Sequence, residues 1–191
     1  MYENQPEDEF NAADLIKSDD LGIRAHGLAQ LGFKTLDNGD FAEAMDYLAA
    51  AKSLYEAHVN TFGQLQFFYN LGMRAHFAKE HEVAQENLIR ARQLAFDEFE
   101  YEYVFLCSSL LGDSFSGVEN IPSSLANYDL AEQYSGHCST PQVEVQFRLN
   151  FGHFLCQLGE QTKGLRQLQK ATAAAIKTAD FKALFEIQLR Q

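Results

Sequence analysis

The chain has 191 residues and a formal net charge of −12, and 46% of its residues are hydrophobic. One domain is the expected organisation at this length. The negative charge disfavours nucleic acid and anionic membrane surfaces as partners.

The cysteines and the lack of long apolar segments favour a cytoplasmic location. Three cysteines, an odd number without a CxxC pair, disfavour a disulfide framework or a zinc site and favour a reducing compartment. Residues 1–9 contain no basic region and no apolar run, so no signal peptide is predicted. No apolar span of about 18 residues occurs, so no transmembrane helix is predicted. We expect a soluble, cytoplasmic protein.

Helix caps and breakers divide the first part of the chain. Residues 1–9 are polar and acidic, and a short lid helix is predicted at 10–16. Ser18 or Asp19 starts the first long helix, and the turn at 38–40 ends it, where Gly39 suits a left-handed C-terminal cap. Asp40 followed by Glu43 resembles a capping box for the next helix.

Similar signals bound the later helices. Asn60 or Thr61 caps the third long helix, and Thr140-Pro141 provides an N-cap and a first-position proline for a later one. The long helices are expected at about 18–36, 40–58, 60–79 and 82–96, from about 99, from 120–122 to Gly136, from 140 to Gly159, and at 162–178.

The segment Phe99 to Tyr103 carries two conflicting signals. Apolar and charged residues alternate there with period 2, which favours a strand. A repeat in the sequence instead places the segment at the start of a helix. We predict a helix, because a single strand in a helical protein would have no partner.

The repeat has a period of 40 residues. A large apolar residue precedes a glycine at 31–32, 71–72, 111–112 and 151–152. Three further columns follow in each repeat: a small residue, then a large apolar residue, then an alanine. They are Ala44, Ala84, Ser124 and Gly164; Leu48, Leu88, Tyr128 and Leu168; and Ala51, Ala91, Ala131 and Ala171. Their offsets of three and four residues indicate one packed helix face, with small residues where two helices approach closely.

This pattern resembles the tetratricopeptide repeat (TPR), a helix–turn–helix unit of usually about 34 residues. The second repeat matches best, with Phe68, Leu71, Gly72, Ala75, Ala84, Leu88 and Ala91 at or near the family positions. The leading aromatic occurs only there, since Leu28, Ser108 and Arg148 replace it elsewhere, and the late proline is absent. The longer period resembles the TPR type of bacterial peptide-sensing regulators and polarity adaptors.

The resemblance implies an all-α, right-handed α-solenoid of about four helix hairpins with short terminal helices. The predicted divisions are an acidic segment at 1–17, repeats at about 18–58, 59–97, 98–137 and 138–178, and a terminal helix at 179–191. That last helix either caps the solenoid or is a truncated fifth repeat.

No enzyme motif meets its structural requirements, so no enzyme and no cofactor are expected. Gly112-Asp113-Ser114 resembles a serine hydrolase block, but Ser114 would lie in the middle of a helix rather than on a strained turn. His76, Glu80 and His81 resemble an inverted zinc motif with one residue too many. We expect instead that His76 and Glu80 are a polar pair on one helix face, or that Glu80 is a turn residue.

The resemblance also implies which residues line an inner, ligand-binding wall. The candidate ligand-binding residues are His26, Gln30, Phe33, Gln66, Tyr69, Asn70, Met73, His76, Asp113, Gln146, Asn150 and His153. The other inner positions are Ala29, Leu36, Leu106, Ser109, Leu110, Ser116, Leu149 and Cys156. Asn70 and Asn150 stand where such families place an asparagine on a peptide backbone, since an amide offers donor and acceptor together. Ordinary packing is an equal alternative for Phe33, Tyr69 and Met73, as is solvated surface for each Gln and His.

Two functions fit these features. One is a scaffold or sensor that binds a protein or an extended peptide in its groove. The other is an assembly module of a longer signalling protein, in which the terminal helix drives homodimer formation or joins an effector domain.

Overall fold

The computed structural model describes residues 12–57 and 61–177, which are helical apart from short connections. A short helix comes first, eight long helices follow, and a three-residue 3-10 helix extends the sixth of these. Their bounds are α1 Ala12–Leu15, α2 Leu21–Asp37, α3 Phe41–Ala57, α4 Thr61–Phe77, α5 His81–Asp97, α6 Tyr101–Gly117, α7 Ile121–Tyr134, the 3-10 helix Ser135–His137, α8 Pro141–Gln157 and α9 Gln161–Lys177. The predicted all-α fold is confirmed, and no strand occurs in the described ranges. None of these helices is long and apolar enough to cross a membrane.

The 40-residue period follows from the helix lengths. Helices α2 to α6, α8 and α9 each have 17 residues, and α7 reaches the same length with its 3-10 extension. Three-residue connections separate successive helices at 38–40, 78–80, 98–100, 118–120 and 158–160. Two helices and two connections therefore fill one period.

These five connections close with the same backbone hydrogen bond. The amide of the third connection residue donates to the carbonyl five residues earlier, as from Asp40 to Thr35 at 3.1 Å and from Glu100 to Ala95 at 2.8 Å. This Schellman geometry puts the middle residue in the left-handed region. Gly39 adopts φ +92°, as predicted for a C-terminal cap.

The helices group into two compact units, Met1–Phe67 and Phe68–Gln191, with the boundary inside α4. In the first unit α2 packs against α3. In the second, α6 packs against α5 and α7, and α8 packs against α9.

The glycine column lies where the two helices of a pair meet. A Cβ added to Gly32 would lie 2.7 Å from Leu48 Cγ, and one added to Gly72 would lie 2.6 Å from Leu88 Cγ. The same holds for Gly112 against the Tyr128 ring and for Gly152 against Leu168. The alanine column is fully buried. The predicted close approach of small residues to large ones is confirmed.

Several predicted helix boundaries differ from the structure or lie outside the described residues. The first long helix begins at Leu21, because Asp20 and not Ser18 or Asp19 caps it, its Oδ1 accepting from the amides of Gly22 at 2.8 Å and Ile23 at 3.0 Å. Asn60 and residues 178–191 lie outside the described residues, as does most of the acidic segment before α1.

Arg148, at the position of the family's leading aromatic, joins three helices of the second unit. Its side chain is 8% exposed, and its guanidinium donates to Glu144 at 2.7 Å and Gln167 at 3.1 Å. Glu132 of α7 lies 3.8 Å away. The buried charge is thus paired, which is the condition under which arginine is tolerated in a core.

Candidate functional site

A cavity of about 470 Å³ lies between α4, α6 and α8 in the second unit. Nine of the inner positions implied by the TPR resemblance line it: Tyr69, Met73, His76, Leu106, Ser109, Leu110, Asp113, Gln146 and Asn150. Phe77, Gln142, Val143 and Phe147 also line it, although the repeat pattern did not indicate them. The structure therefore brings candidate residues of three repeats to one cavity.

Asp113 is the polar centre of this cavity. Tyr128 Oη donates to Asp113 Oδ1 at 2.5 Å, and Asn150 Nδ2 donates to Oδ2 at 2.8 Å. Gln146 Nε2 in turn donates to Asn150 Oδ1 at 2.8 Å. Burial raises the pKa of Asp113 to about 6, although the two hydrogen bonds to its carboxylate lower it. The result is a hydrogen-bonded row of one carboxylate and two amides.

A second cavity of about 310 Å³ adjoins the first. His76, Asp113 and Asn150 line both cavities, and His153 lines only the smaller one. Asp113 thus lies between two open volumes, and a ligand longer than one side chain can contact it from either.

His76 presents an unused hydrogen-bonding atom near these cavities. Its Nδ1 is buried and has no hydrogen-bond partner among the described residues. Burial, followed by the charge of His81, lowers the pKa of His76, so its ring is neutral at pH 7. A neutral imidazole nitrogen can donate or accept, depending on the tautomer.

Tyr69 forms part of the apolar wall. Its ring packs edge-to-face on Tyr103 with centroids 5.2 Å apart, and burial raises the pKa of its hydroxyl. Tyr69 and Met73 both line the cavity, so they are available to a ligand as well as to packing. Asn70 is the asparagine of α4 that the TPR resemblance pairs with Asn150, and it lines neither cavity.

In the first unit, His26, Gln30 and Gln66 line a separate cavity of about 630 Å³. The Gln30 amide donates to His26 Nε2 at 2.9 Å, so these two side chains partly satisfy each other. Phe33 does not line this cavity; its ring packs against Phe67 with centroids 6.1 Å apart. For Phe33 the packing alternative describes what the structure contains.

Tyr128 is a further residue of the site that the repeat pattern did not indicate, and it is the one that bonds Asp113. It stands in a column that otherwise holds leucine, and its ring was expected only to fill space beside Gly112. The signal was a hydroxyl in an apolar column, in the repeat that also carries Asp113, the acidic candidate. A buried tyrosine hydroxyl normally has a hydrogen-bond partner, and Asp113 provides it.

The structure shows where the residues of the two enzyme-like motifs lie. Ser114 is 0% exposed on α6, with its Oγ 3.3 Å from His81 Nδ1, so a substrate has no access to it. Glu80 lies in the connection after α4, because α4 ends at Phe77. The prediction of a shared helix face with His76 was therefore wrong, and the alternative prediction of a turn residue is confirmed. Within the described residues no group of three or more His, Cys, Asp or Glu is placed to hold a metal ion.

Paired helices with a fixed period, buried small residues and a cavity between alternate helices define a helical-repeat protein. No protein-family model and no curated protein matches the sequence. The fold is similar to the crystal structure of aspartyl phosphate phosphatase F from Bacillus subtilis, with a TM-score of 0.79 and 17% sequence identity. The match covers 94% of this chain and 47% of that one, so this chain spans about half the length of its structural neighbour. At this identity the likeness establishes the helical-repeat fold.

Proposed function

We propose that the chain is a binding module that holds an extended peptide segment of mixed polarity in the cavity between α4, α6 and α8. The observation that carries the proposal is the row of Asp113, Asn150 and Gln146 beside apolar side chains. Such a combination, mostly apolar with a few placed polar groups, is typical of ligand sites, and about 470 Å³ lies within their usual range.

The hydrogen-bonding capacity of Asn150 supports a peptide backbone as the ligand. A primary amide has two N–H donors and two acceptor lone pairs. In Asn150 one N–H goes to Asp113 and one lone pair receives Gln146. One donor and one acceptor remain, which matches the carbonyl and the amide of a peptide bond.

The adjoining cavities support an extended ligand rather than a compact one. Because His76, Asp113 and Asn150 line both volumes, successive side chains of one segment can enter each in turn. Tyr69 and Phe77 line the larger cavity and offer aromatic surface to an apolar side chain. Asp113 favours a group that donates hydrogen bonds. Phosphatase activity belongs by name to a protein about twice as long, and for this chain we propose binding alone.

Selection from a peptide display library, followed by fluorescence anisotropy with the selected peptides, tests the proposal. Asn150→Ala should weaken binding by about 2- to 13-fold, the equivalent of one hydrogen bond. Asn70→Ala makes the same chemical change at the same repeat position but outside both cavities, and should leave affinity unchanged. Thermal unfolding of both variants checks that they are folded. Failure to select any peptide, or full affinity in folded Asn150→Ala, would refute the proposal.

A further inference from the structure

Phe99 occupies an unfavourable position in the connection between α5 and α6. Its backbone has φ +60°, in the left-handed region, and its side chain is 73% exposed. Glycine stands at the corresponding place of two other connections, Gly39 and Gly159. A phenylalanine there strains the backbone and exposes an apolar ring to water, so neither local geometry nor burial accounts for it.

Aromatic rings extend from Phe99 along this edge of the second unit. We name the aromatic edge as Phe96, Phe99, Tyr101, Tyr134 and His137. Phe99 packs edge-to-face on Tyr101 at 6.4 Å, and Tyr101 stacks on Tyr134 at 5.5 Å. His137 lies 5.1 Å from Tyr101, and Phe96 lies 5.8 Å from Tyr134. The rings support one another while Phe99 and His137 remain exposed.

The aromatic edge lies in the longest stretch of the chain without lysine or arginine. Residues 93–147 include no Lys or Arg and nine acidic residues: Asp97, Glu98, Glu100, Glu102, Asp113, Glu119, Asp129, Glu132 and Glu144. Glu98 and Glu100 flank Phe99 directly. Glu102 is held beside them, since it accepts hydrogen bonds from the Ser139 amide at 2.8 Å and the Ser139 hydroxyl at 2.5 Å. Arg148, the next cation along the chain, is paired with Glu144.

We propose that the aromatic edge docks a positively charged, arginine-bearing segment of a partner protein. An arginine guanidinium stacks on an aromatic face and forms two parallel hydrogen bonds to a carboxylate. A lysine ammonium stacks less well and attracts a carboxylate only as a point charge. The exposed ring of Phe99, flanked in sequence by Glu98 and Glu100, offers both interactions. A second copy of the chain, with net charge −12, lacks the complementary charge. None of the five residues of the aromatic edge lines either of the two cavities proposed to bind a peptide, so this surface is independent of the proposed function.

Fluorescence anisotropy with a labelled seven-residue peptide of alternating Gly and Arg tests the proposal. The Arg peptide should bind more tightly than a Lys peptide of equal charge, and more weakly at 200 mM than at 50 mM salt. Phe99→Gly should reduce affinity roughly fivefold, the usual contribution of an exposed cation–π contact. The Glu98→Gln/Glu100→Gln variant should bind more weakly and with a smaller salt dependence.

Phe99→Gly also separates docking from folding. Because glycine adopts positive φ without strain, the variant should unfold at the same temperature as the parent or higher. Phe41→Ala removes another exposed phenylalanine, 66% exposed on α3, and should leave peptide affinity unchanged. Equal affinities of parent and Phe99→Gly, or of the Arg and Lys peptides, would overturn the proposal. So would self-association in sedimentation that Phe99→Gly abolishes, because the occupant would then be a second copy.

Discussion

Replacing Asp113 by Asn tests whether burial controls the charge at the centre of the cavity. The ordinary pKa of 3.8 rises to about 6 in the folded protein. Because the folded value lies above the unfolded one, folding favours the protonated carboxyl. The contribution of Asp113 to the free energy of unfolding should therefore fall as the pH rises from about 4 to about 6, and level off above that range.

The size of the effect follows from these two pKa values. With 3.8 and about 6, ionisation of Asp113 opposes folding by about 2 kcal/mol at pH 5 and by about 3 kcal/mol at pH 8. The amide introduced by Asp113→Asn would have no such penalty, but it rearranges the hydrogen bonds to Tyr128 and Asn150 at a cost that does not depend on pH. The stability of Asp113→Asn relative to the parent should therefore increase by about 1 kcal/mol between pH 5 and pH 8.

Urea unfolding followed by far-UV circular dichroism at pH 5, 6, 7 and 8 measures this difference. Comparison with the parent at each pH cancels the titration of groups that the two proteins share. Asp46→Asn makes the same change on an exposed side chain of α3 and measures charge removal alone. A parent–variant difference that stays constant from pH 5 to pH 8 would refute the reasoning, because Asp113 would then titrate alike in the folded and unfolded chains.

Two further substitutions test the packing. Gly72→Ala places a Cβ 2.6 Å from Leu88 Cγ, and this overpacking should lower the free energy of unfolding by about 1–3 kcal/mol, measured by urea titration. Gly136→Ala is the control, because no atom lies within 4 Å of the added Cβ, and it should cause no loss of stability from overpacking. Arg148→Met leaves Glu144 without its cation, and we expect a loss of about 2–4 kcal/mol by the same method. Parental stability in either variant would contradict the corresponding contact.

The helical architecture was predictable because packing repeats every 40 residues. A helix pair allows close approach only where one side has no side chain, so each large residue such as Leu88 requires a glycine such as Gly72 opposite it. This requirement leaves a visible column in the sequence. This packing requirement also outweighs the alternation of apolar and charged residues from Phe99 to Tyr103. Helix α6 begins at Tyr101 although that alternation favours a strand.

Local details of the chain were less predictable. Ser18, Asp19 and Asp20 can each cap a helix, and the choice depends on which oxygen reaches the first free amides. In the structure Asp20 does so, while Ser18 Oγ accepts from the Asp20 amide at 3.2 Å. Phe99 was unpredictable for another reason, because nothing in a local sequence marks a phenylalanine that adopts a glycine conformation.

The site was predictable only where one helix face determines it. Residues of the first helix of each pair, such as Asp113 and Asn150, share a face that the TPR resemblance assigns, and the structure places them in one cavity. Tyr128 belongs to the second helix of a pair, whose column contains mostly leucine. The hydrogen bond from Tyr128 to Asp113 depends on the hydroxyl group at the end of the ring. The repeat pattern specifies only a large side chain at this position.

The uniform length of 17-residue helices and three-residue connections restricts how this chain can change in size. A single residue inserted within a helix would rotate everything after it by about 100°, moving a glycine such as Gly72 away from its leucine. An added residue is therefore tolerable only in a connection, and there it must preserve the Schellman closure. A larger change in length that keeps the glycine and leucine columns aligned requires the gain or removal of a complete 40-residue helix pair.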